Sequence, residues 1–189
     1  SGDPQTFYRN VIVENNVLFN SRQRSGLIVS QGGDTQVQSI IVRNNITYGN
    51  ADAGLDLTNY GSLNMQGLKI YNNTITDGIT NGYPNKISNS EIRNNIILGS
   101  KQETGGFTLS NNFTSGDPLF VNSAGRDYHL QSTSPAINAG TTLSDVPKDK
   151  DGVSRPVGSA YDLGAYEYGG TPTPTPTPSP SPSPSNQCT

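Results

Sequence analysis

The sequence predicts an all-β solenoid, a parallel β-helix with three short strands per coil, and three observations predict it. An Asn-Asn pair recurs along the chain, the residues ahead of each pair alternate apolar and polar, and the composition suits a thin stack better than a globule. The pair closes Val-Glu-Asn-Asn at 13–16, Val-Arg-Asn-Asn at 42–45, Ile-Tyr-Asn-Asn at 70–73, Ile-Arg-Asn-Asn at 92–95 and Leu-Ser-Asn-Asn at 109–112. A motif returning every ~20–30 residues marks stacked strand-and-turn units, not one sheet threaded back and forth.

The first strand of each unit lies just before the pair. Val11 and Val13, Ile40 and Val42, Leu68 and Ile70, and Phe107 and Leu109 keep a period of two and are expected to point inward. Ile12, Glu14, Ile41, Arg43, Lys69, Tyr71, Glu91 and Arg93 fall between them and are expected to point outward. Stacking in register sets Glu14 beside Arg43 and Lys69 beside Glu91, about 4.8 Å apart. Exposed pairs of this kind add little stability, so they serve as a check on register.

The second Asn of each pair, at 16, 45, 73, 95 and 112, is expected at the bend into the next strand. Asn tolerates a left-handed backbone there, and its amide can donate and accept along a column, at ~1 kcal/mol net per hydrogen bond. Second strands follow at 17–19, 46–48, 74–76 and 96–98, and third strands at 26–30 and 54–58.

With these residues in place, the chain resembles the right-handed parallel β-helix repeat proteins of the pectate-lyase-like superfamily, and the Asn column resembles their asparagine ladder. A second resemblance covers Gly-Asp-Pro-Leu-Phe-Val-Asn at 116–122, Asp-Tyr-His-Leu at 127–130, Ser-Pro-Ala-Ile-Asn-Ala-Gly at 134–140 and Asp-Leu-Gly-Ala-Tyr-Glu at 162–167. It is similar to the C-terminal closing segment of many secreted bacterial β-helix proteins, polysaccharide lyases and surface proteins among them. The expected division is 1–115 for the coils, 116–168 for the closing segment, 169–185 for a Pro/Thr/Ser linker and 186–189 for the start of a further module.

Composition bounds the rest. With 189 residues, 31% hydrophobic content and 21 glycines, the chain is poor for a globular core yet adequate for a solenoid that buries one residue in two. The net charge is −3, and no basic cluster exceeds Arg22-Gln23-Arg24, which argues against nucleic acid as a partner. No apolar stretch approaches the ~20 residues of a membrane span. A complete repeat begins within a few residues of Ser1, and open end coils expose strand edge. The N-terminal coils, cap and export signal are therefore expected to lie in a longer parent chain. The Thr/Ser-Pro alternation from 171 to 185 favours an extended tether, and Cys188, the only cysteine, is expected to open a disulfide-containing module. All of this points to an extracellular, secreted or cell-surface setting.

Chemistry-bearing residues are few. One histidine excludes a His-based relay, and His129 in Asp-Tyr-His-Leu is expected to be structural. The best acidic grouping is Asp52 and Asp56, with Asp77 one unit later. Oxygen ligands so placed suit Ca²⁺, and the resemblance implies a calcium bridge to a uronic acid carboxylate that acidifies the C5 proton. A β-elimination then needs a base, for which Lys86 and Lys69 are the candidates, with Arg22 and Arg24 as charge neutralisers and substrate contacts. A lysine serves only if its surroundings lower its pKa. The bland reading is that Asp and Asn at solenoid corners are ordinary turn formers. Tyr48, Tyr60, Tyr71 and Tyr83 recur across units, and rings exposed on a flat face can stack on sugars, Tyr48 and Tyr60 being the foremost candidates. Sequons at 45–47, 72–74 and 112–114 arise from the repeat itself.

Two functional classes follow. The first is a carbohydrate-active or carbohydrate-binding β-helix, part of a polysaccharide lyase acting on a uronic-acid polymer such as pectate or alginate, or on a cell-surface glycan. The second is a non-catalytic structural or adhesin β-helix, whose sign would be an exterior without a cluster of carboxylates and bases. A glycoside hydrolase of the same fold is the residual case.

Overall fold

The computed structural model describes residues 7–33 and 36–171. The linker expected beyond Thr171 and the segment around Cys188 lie outside the described residues. Five coils stack. Coil 1 holds β1 (Phe7–Glu14), β2 (Val17–Phe19) and β3 (Leu27–Ile28), and coil 2 holds β4 (Gln36–Arg43), β5 (Ile46–Tyr48) and β6 (Leu55–Asp56). Coil 3 holds β7 (Met65–Gln66), β8 (Lys69–Tyr71), β9 (Thr74–Ile75) and β10 (Ile79–Thr80). Coil 4 holds β11 (Ile87–Ser88), β12 (Ser90–Arg93) and β13 (Ile96–Ile97), and coil 5 begins with β14 (Phe107–Ser110).

All pairings between coils are parallel and form three sheets. Sheet A runs β1-β4-β8-β12-β14 with β7 and β11 alongside, sheet B runs β2-β5-β9-β13, and sheet C runs β3-β6-β10. Sheet A breaks where Asn10, Ser39, Gly67 and Asn89 form a column of left-handed residues, with φ of 57°, 53°, 64° and 48°. The break splits the first strand of coils 3 and 4 in two. A left-handed residue that recurs at one register position bends each coil alike, so stacking survives it.

Alternation decides the core. Val42, Ile70 and Ile92 stand in one register column and are at most 1% exposed, stacked with Val37, Leu55, Leu57, Met65, Leu68 and Ile79. At the two end coils the expected inward residues have only one neighbour each: Val11 is exposed, and Leu109 is 52% exposed. Glu14 pairs with Arg43 at 2.6 Å as the register requires. Lys69 and Glu91 are also register partners, but their charges go elsewhere, Lys69 to Asp145 at 2.7 Å and Glu91 to Arg93 at 2.9 Å. Tyr71 points out of its sheet as expected but is buried, because Leu143, Val146 and Tyr161 cover it.

The two asparagines of each pair divide the labour, which corrects the expectation that one residue does both jobs. The left-handed conformation belongs to the first Asn, with φ of 60° at Asn15, 53° at Asn44, 50° at Asn72, 56° at Asn94 and 51° at Asn111. The second Asn builds the ladder. Asn16 N donates to Asn45 Oδ1 at 3.0 Å, Asn45 N to Asn73 Oδ1 at 3.0 Å, Asn73 N to Asn95 Oδ1 at 2.8 Å and Asn95 N to Asn112 Oδ1 at 3.0 Å. Each Nδ2 follows the same path, so buried turn amides are satisfied coil by coil. Asn45 and Asn72 are buried, so neither sequon leaves room for a glycan.

The first asparagines hold the C-terminal segment against the side of the stack. Asn111 Nδ2 donates to Ala139 O at 3.0 Å, Asn94 Nδ2 to Thr141 O at 2.7 Å, Asn72 Nδ2 to Asp162 O at 2.9 Å and Asn44 Nδ2 to Lys148 O at 2.8 Å. The segment thus runs back along the coils as a strap. It includes the antiparallel pair β15 (Phe120–Asn122) and β16 (Asp127–Leu130), and Phe120, Tyr128, Leu130, Ala136 and Leu163 pack on Ile46, Tyr48 and Ile96.

His129 latches two parts of this strap together. Its Nδ1 lies 2.6 Å from Asp127 Oδ1, its Nε2 lies 3.0 Å from Asp151 Oδ2, and its ring stacks on Tyr166 at 3.8 Å. Burial works against the charged ring, but Asp151 and Asp127 outweigh it and hold the imidazolium above its ordinary range. Asp127 is desolvated too, yet His129 holds it below the usual carboxylate range. A raised His contributes stability that is complete below the unfolded value of about 6.5 and is lost as pH rises through the folded value. The lowered Asp contributes stability present above about 3.9 and lost as pH falls through its folded value. The latch is therefore expected to be tightest between about pH 4 and 6.5. His129→Gln should flatten the fall in Tm on the alkaline side of that window, and an unchanged Tm profile would rule the latch out as its source.

Candidate functional site

Sheet C puts chemistry on the outside. Leu27, Leu55 and Ile79 of successive coils face in, so their neighbours Ile28, Asp56 and Thr80 face out in one register column. Glu103 extends the column: its N donates to Ile79 O at 2.9 Å, and its carboxylate accepts Thr80 Oγ1 at 2.8 Å and Asn81 N at 2.9 Å. Those donors, Asn81 N first, hold Glu103 below the usual carboxylate range.

Lys101 joins the strip through the corner ahead of it. Gly78 adopts φ +81° and has no side chain, so Lys101 O can approach closely and accept Ile79 N at 2.8 Å. The Lys101 ammonium then reaches back two coils to pair with Asp52, whose other oxygen accepts Ser25 Oγ at 3.3 Å. The Lys101 hydrogen bond lowers Asp52, with Ser25 and Arg24 adding smaller effects in the same direction. It also raises Lys101, helped by the charges of Glu103 and Asp56. The face therefore presents an ammonium, three carboxylates and hydroxyls side by side across coils 1 to 4. At neutral pH Lys101 is a cation that can donate hydrogen bonds and not a base that takes a proton.

Aromatic rings flank the strip one corner further along the same coils. Tyr60 follows Asp56 and Tyr83 follows Thr80; they are 67% and 44% exposed and meet edge to face at 5.7 Å. Lys86 sits 5.5 Å from the Tyr83 ring centre, with Nζ donating to Gly61 O at 2.6 Å.

The expected site residues thus fall into separate places. Asp52, Asp56 and Arg24 come together at the strip, while Arg22 is exposed in the connection between sheets B and C. Asp77 is a turn residue: its carboxylate accepts Gly49 N at 2.9 Å, Asn50 N at 3.0 Å and Asn50 Nδ2 at 2.9 Å. Asp56 accepts Thr58 Oγ1, and Asp52 is held by Lys101. Among the described residues no group of three or more Asp, Glu, His or Cys is arranged to hold a metal ion, so Asp52, Asp56 and Asp77 do not form a calcium cage as they stand. Lys69 is bound to Asp145 of the strap, on sheet A. Tyr48 is a correction: it is 8% exposed, with Phe19 stacked on it at 5.1 Å, Tyr128 at 5.7 Å and the Arg126 guanidinium 4.4 Å from its ring centre. Its faces are taken, as is Tyr71 beneath the strap, and no sugar can stack on either.

Lys101 and Glu103 were missed by sequence reasoning. A signal existed, because carrying Asp52 forward by the ladder spacings of 28 and 22 residues lands within one residue of Lys101. Lys150 is a lysine that burial pushes down, but it lies on the strap, donating to Asn15 O.

No family model matches the chain, and no curated protein sequence matches it. Among solved structures, the chain is similar to one titled crystal structure of pectate lyase Pel9A, with a TM-score of 0.44 and 16% identity. The likeness covers 86% of this chain and 62% of that one, so the chain spans less than two thirds of that structure's length. No helix among the described residues is long and apolar enough to cross a membrane.

Proposed function

We propose that this β-helix is an extracellular carbohydrate-binding protein that engages a polysaccharide along the outer face of sheet C. The observation that carries the reading is the strip of Asp52, Asp56, Thr80, Lys101 and Glu103 bordered by the exposed Tyr60–Tyr83 pair. Sugar recognition uses planar polar arrays for hydroxyls and aromatic faces for the apolar side of the ring, and this face supplies both. A spacer or adhesin rod has no need of such a cluster.

A lyase acting on pectate or alginate is the second reading, favoured by Lys101 standing among carboxylates on an open face. In that reading Ca²⁺ would have to recruit Asp52 and Asp56 away from Lys101 and Thr58, and Lys101 would have to lose its proton. Titration calorimetry against polygalacturonate, alginate and a neutral glucan, with a parallel assay for unsaturated sugar, separates the outcomes. Binding is expected without unsaturated product, and Tyr60→Ala with Tyr83→Ala is expected to weaken it about tenfold, the equivalent of ~1.4 kcal/mol. Unsaturated product would establish the lyase instead. Absence of binding to all three polymers would leave the structural rod.

A further inference from the structure

We propose that the polysaccharide held on the outer face of sheet C is one whose sugars carry free amino groups, a β-linked polymer of glucosamine type, with Asp56 and Glu103 as the partners of its ammonium groups; this rests on the carbohydrate-binding reading above. The charges on that face do not balance. Asp52, Asp56 and Glu103 share it with Lys101, with Arg24 at the Asp52 end. Lys101 pairs with Asp52, and Arg24 acts on the same carboxylate. Among the described residues neither Asp56 nor Glu103 is in an ion pair. Lys101 acts on both only through space, and their direct partners are neutral: Thr58 Oγ1 for Asp56, Asn81 N and Thr80 Oγ1 for Glu103. Those neutral donors, Asn81 N first, hold Glu103 below the usual carboxylate range, so it stays an anion in the mild acid where a sugar amine is protonated.

Spacing points the same way. Asp56 and Thr80 are register partners, and the bridge from Ile79 to Gln102 carries the column on to Glu103. Two strand spacings therefore separate the carboxylates, ~9.6 Å along the stack axis. An extended β-linked chain turns each sugar over relative to the last, so one substituent returns to the same side with every second sugar, over a similar length. Tyr60 and Tyr83 follow Asp56 and Thr80 on the same two coils and mark a ring-stacking track parallel to the column. A polymer lying along the axis thus meets ring faces on one side and a carboxylate at every second coil on the other. A uronic acid polymer in that place would set its carboxylates against Asp56 and Glu103, like charge on like. An ammonium group gives each the cation it lacks.

Titration calorimetry with a glucosamine oligomer, its N-acetylated form, a neutral glucan oligomer and an oligogalacturonate tests this, in a mildly acidic buffer that keeps the sugar amine protonated. The glucosamine oligomer is expected to bind about tenfold more tightly than its N-acetylated form, with the oligogalacturonate weakest of the four. Asp56→Asn with Glu103→Gln is expected to remove that preference while the N-acetylated form still binds. Where circular dichroism shows the double variant unfolded, each single variant is expected to lose part of the preference. Glu14→Gln with Glu91→Gln removes the same charge from sheet A and is expected to leave the preference in place; its loss there would mean attraction by net charge alone and would overturn the proposal. N-acetylated and free oligomers that bind alike, or an oligogalacturonate that binds best, also overturn it, while a loss of affinity in Tyr60→Ala with Tyr83→Ala would keep the carbohydrate-binding reading standing. Absence of binding by all four oligomers overturns both.

Discussion

Replacing Asn73 by Ala is expected to destabilise the fold by about 3–5 kcal/mol, enough to unfold many domains of this size. Asn73 is 1% exposed and occupies the middle of the ladder. Its Oδ1 accepts Asn45 N and Nδ2, each at 3.0 Å, and its Nδ2 donates to Val42 O at 2.9 Å, Tyr71 O at 3.0 Å and Asn95 Oδ1 at 2.9 Å. Truncation removes these bonds and takes a partner from Asn45 N, Val42 O and Tyr71 O, backbone groups of two successive coils, at roughly 1–3 kcal/mol for each group that is left unpaired where water cannot reach. Asn16→Ala, at an exposed end of the same ladder, is expected to cost no more than about 1 kcal/mol. Urea unfolding of the two variants measures the difference. Equal costs would mean that the ladder does not hold the coils together.

The second large effect concerns the strap. Arg155 and Glu167 form an ion pair whose side chains are both 0% exposed. Arg155 Nη2 also donates to Gly164 O at 3.0 Å, while Glu167 accepts Asp162 N and Val157 N, each at 2.9 Å. Burial pushes Glu167 up toward its neutral form, and the Arg155 guanidinium opposes that push. Arg155→Met therefore strands a buried carboxylate and is expected to cost about 3–5 kcal/mol. Adding Glu167→Leu should recover part of the loss, because the stranded charge is gone, but not all of it, since Asp162 N and Val157 N are left unpaired. Chemical unfolding of both variants checks the order. A double variant less stable than the single one would show that the pair is not the source of the cost.

Local repetition made the scaffold legible in the sequence. Period-two alternation at residues such as Ile40 and Val42 is a property of neighbouring residues, and the Asn pairs fixed the register between coils, so Glu14 was matched with Arg43 correctly. The division of roles within each pair was hidden, because both positions carry the same residue type and only backbone φ tells them apart. Docking of the strap was hidden for a different reason. Tyr71, Lys69 and Arg43 look outward by alternation, and nothing in their own coil shows that residues 143–148 will cover or pair with them.

The candidate site was half legible. Asp52 and Asp56 stood out because they share one corner, whereas Lys101 and Glu103 come from a coil of different length and enter through the corner at Gly78. Tyr48 misled because exposure was inferred from recurrence, and its ring is instead the contact on which Phe19 and Tyr128 pack. The outcome is a scaffold whose inward columns are structural and whose outward strip on sheet C carries the function we propose.

Mapping backbone amide shifts by NMR while titrating an oligosaccharide tests that claim most directly. The shifts are expected to cluster on Asp52, Asp56, Thr80, Lys101 and Glu103, with Tyr60 and Tyr83 at the border. Shifts confined to the outer face of sheet A, around Ile12, Ile41 and Lys69, would contradict it.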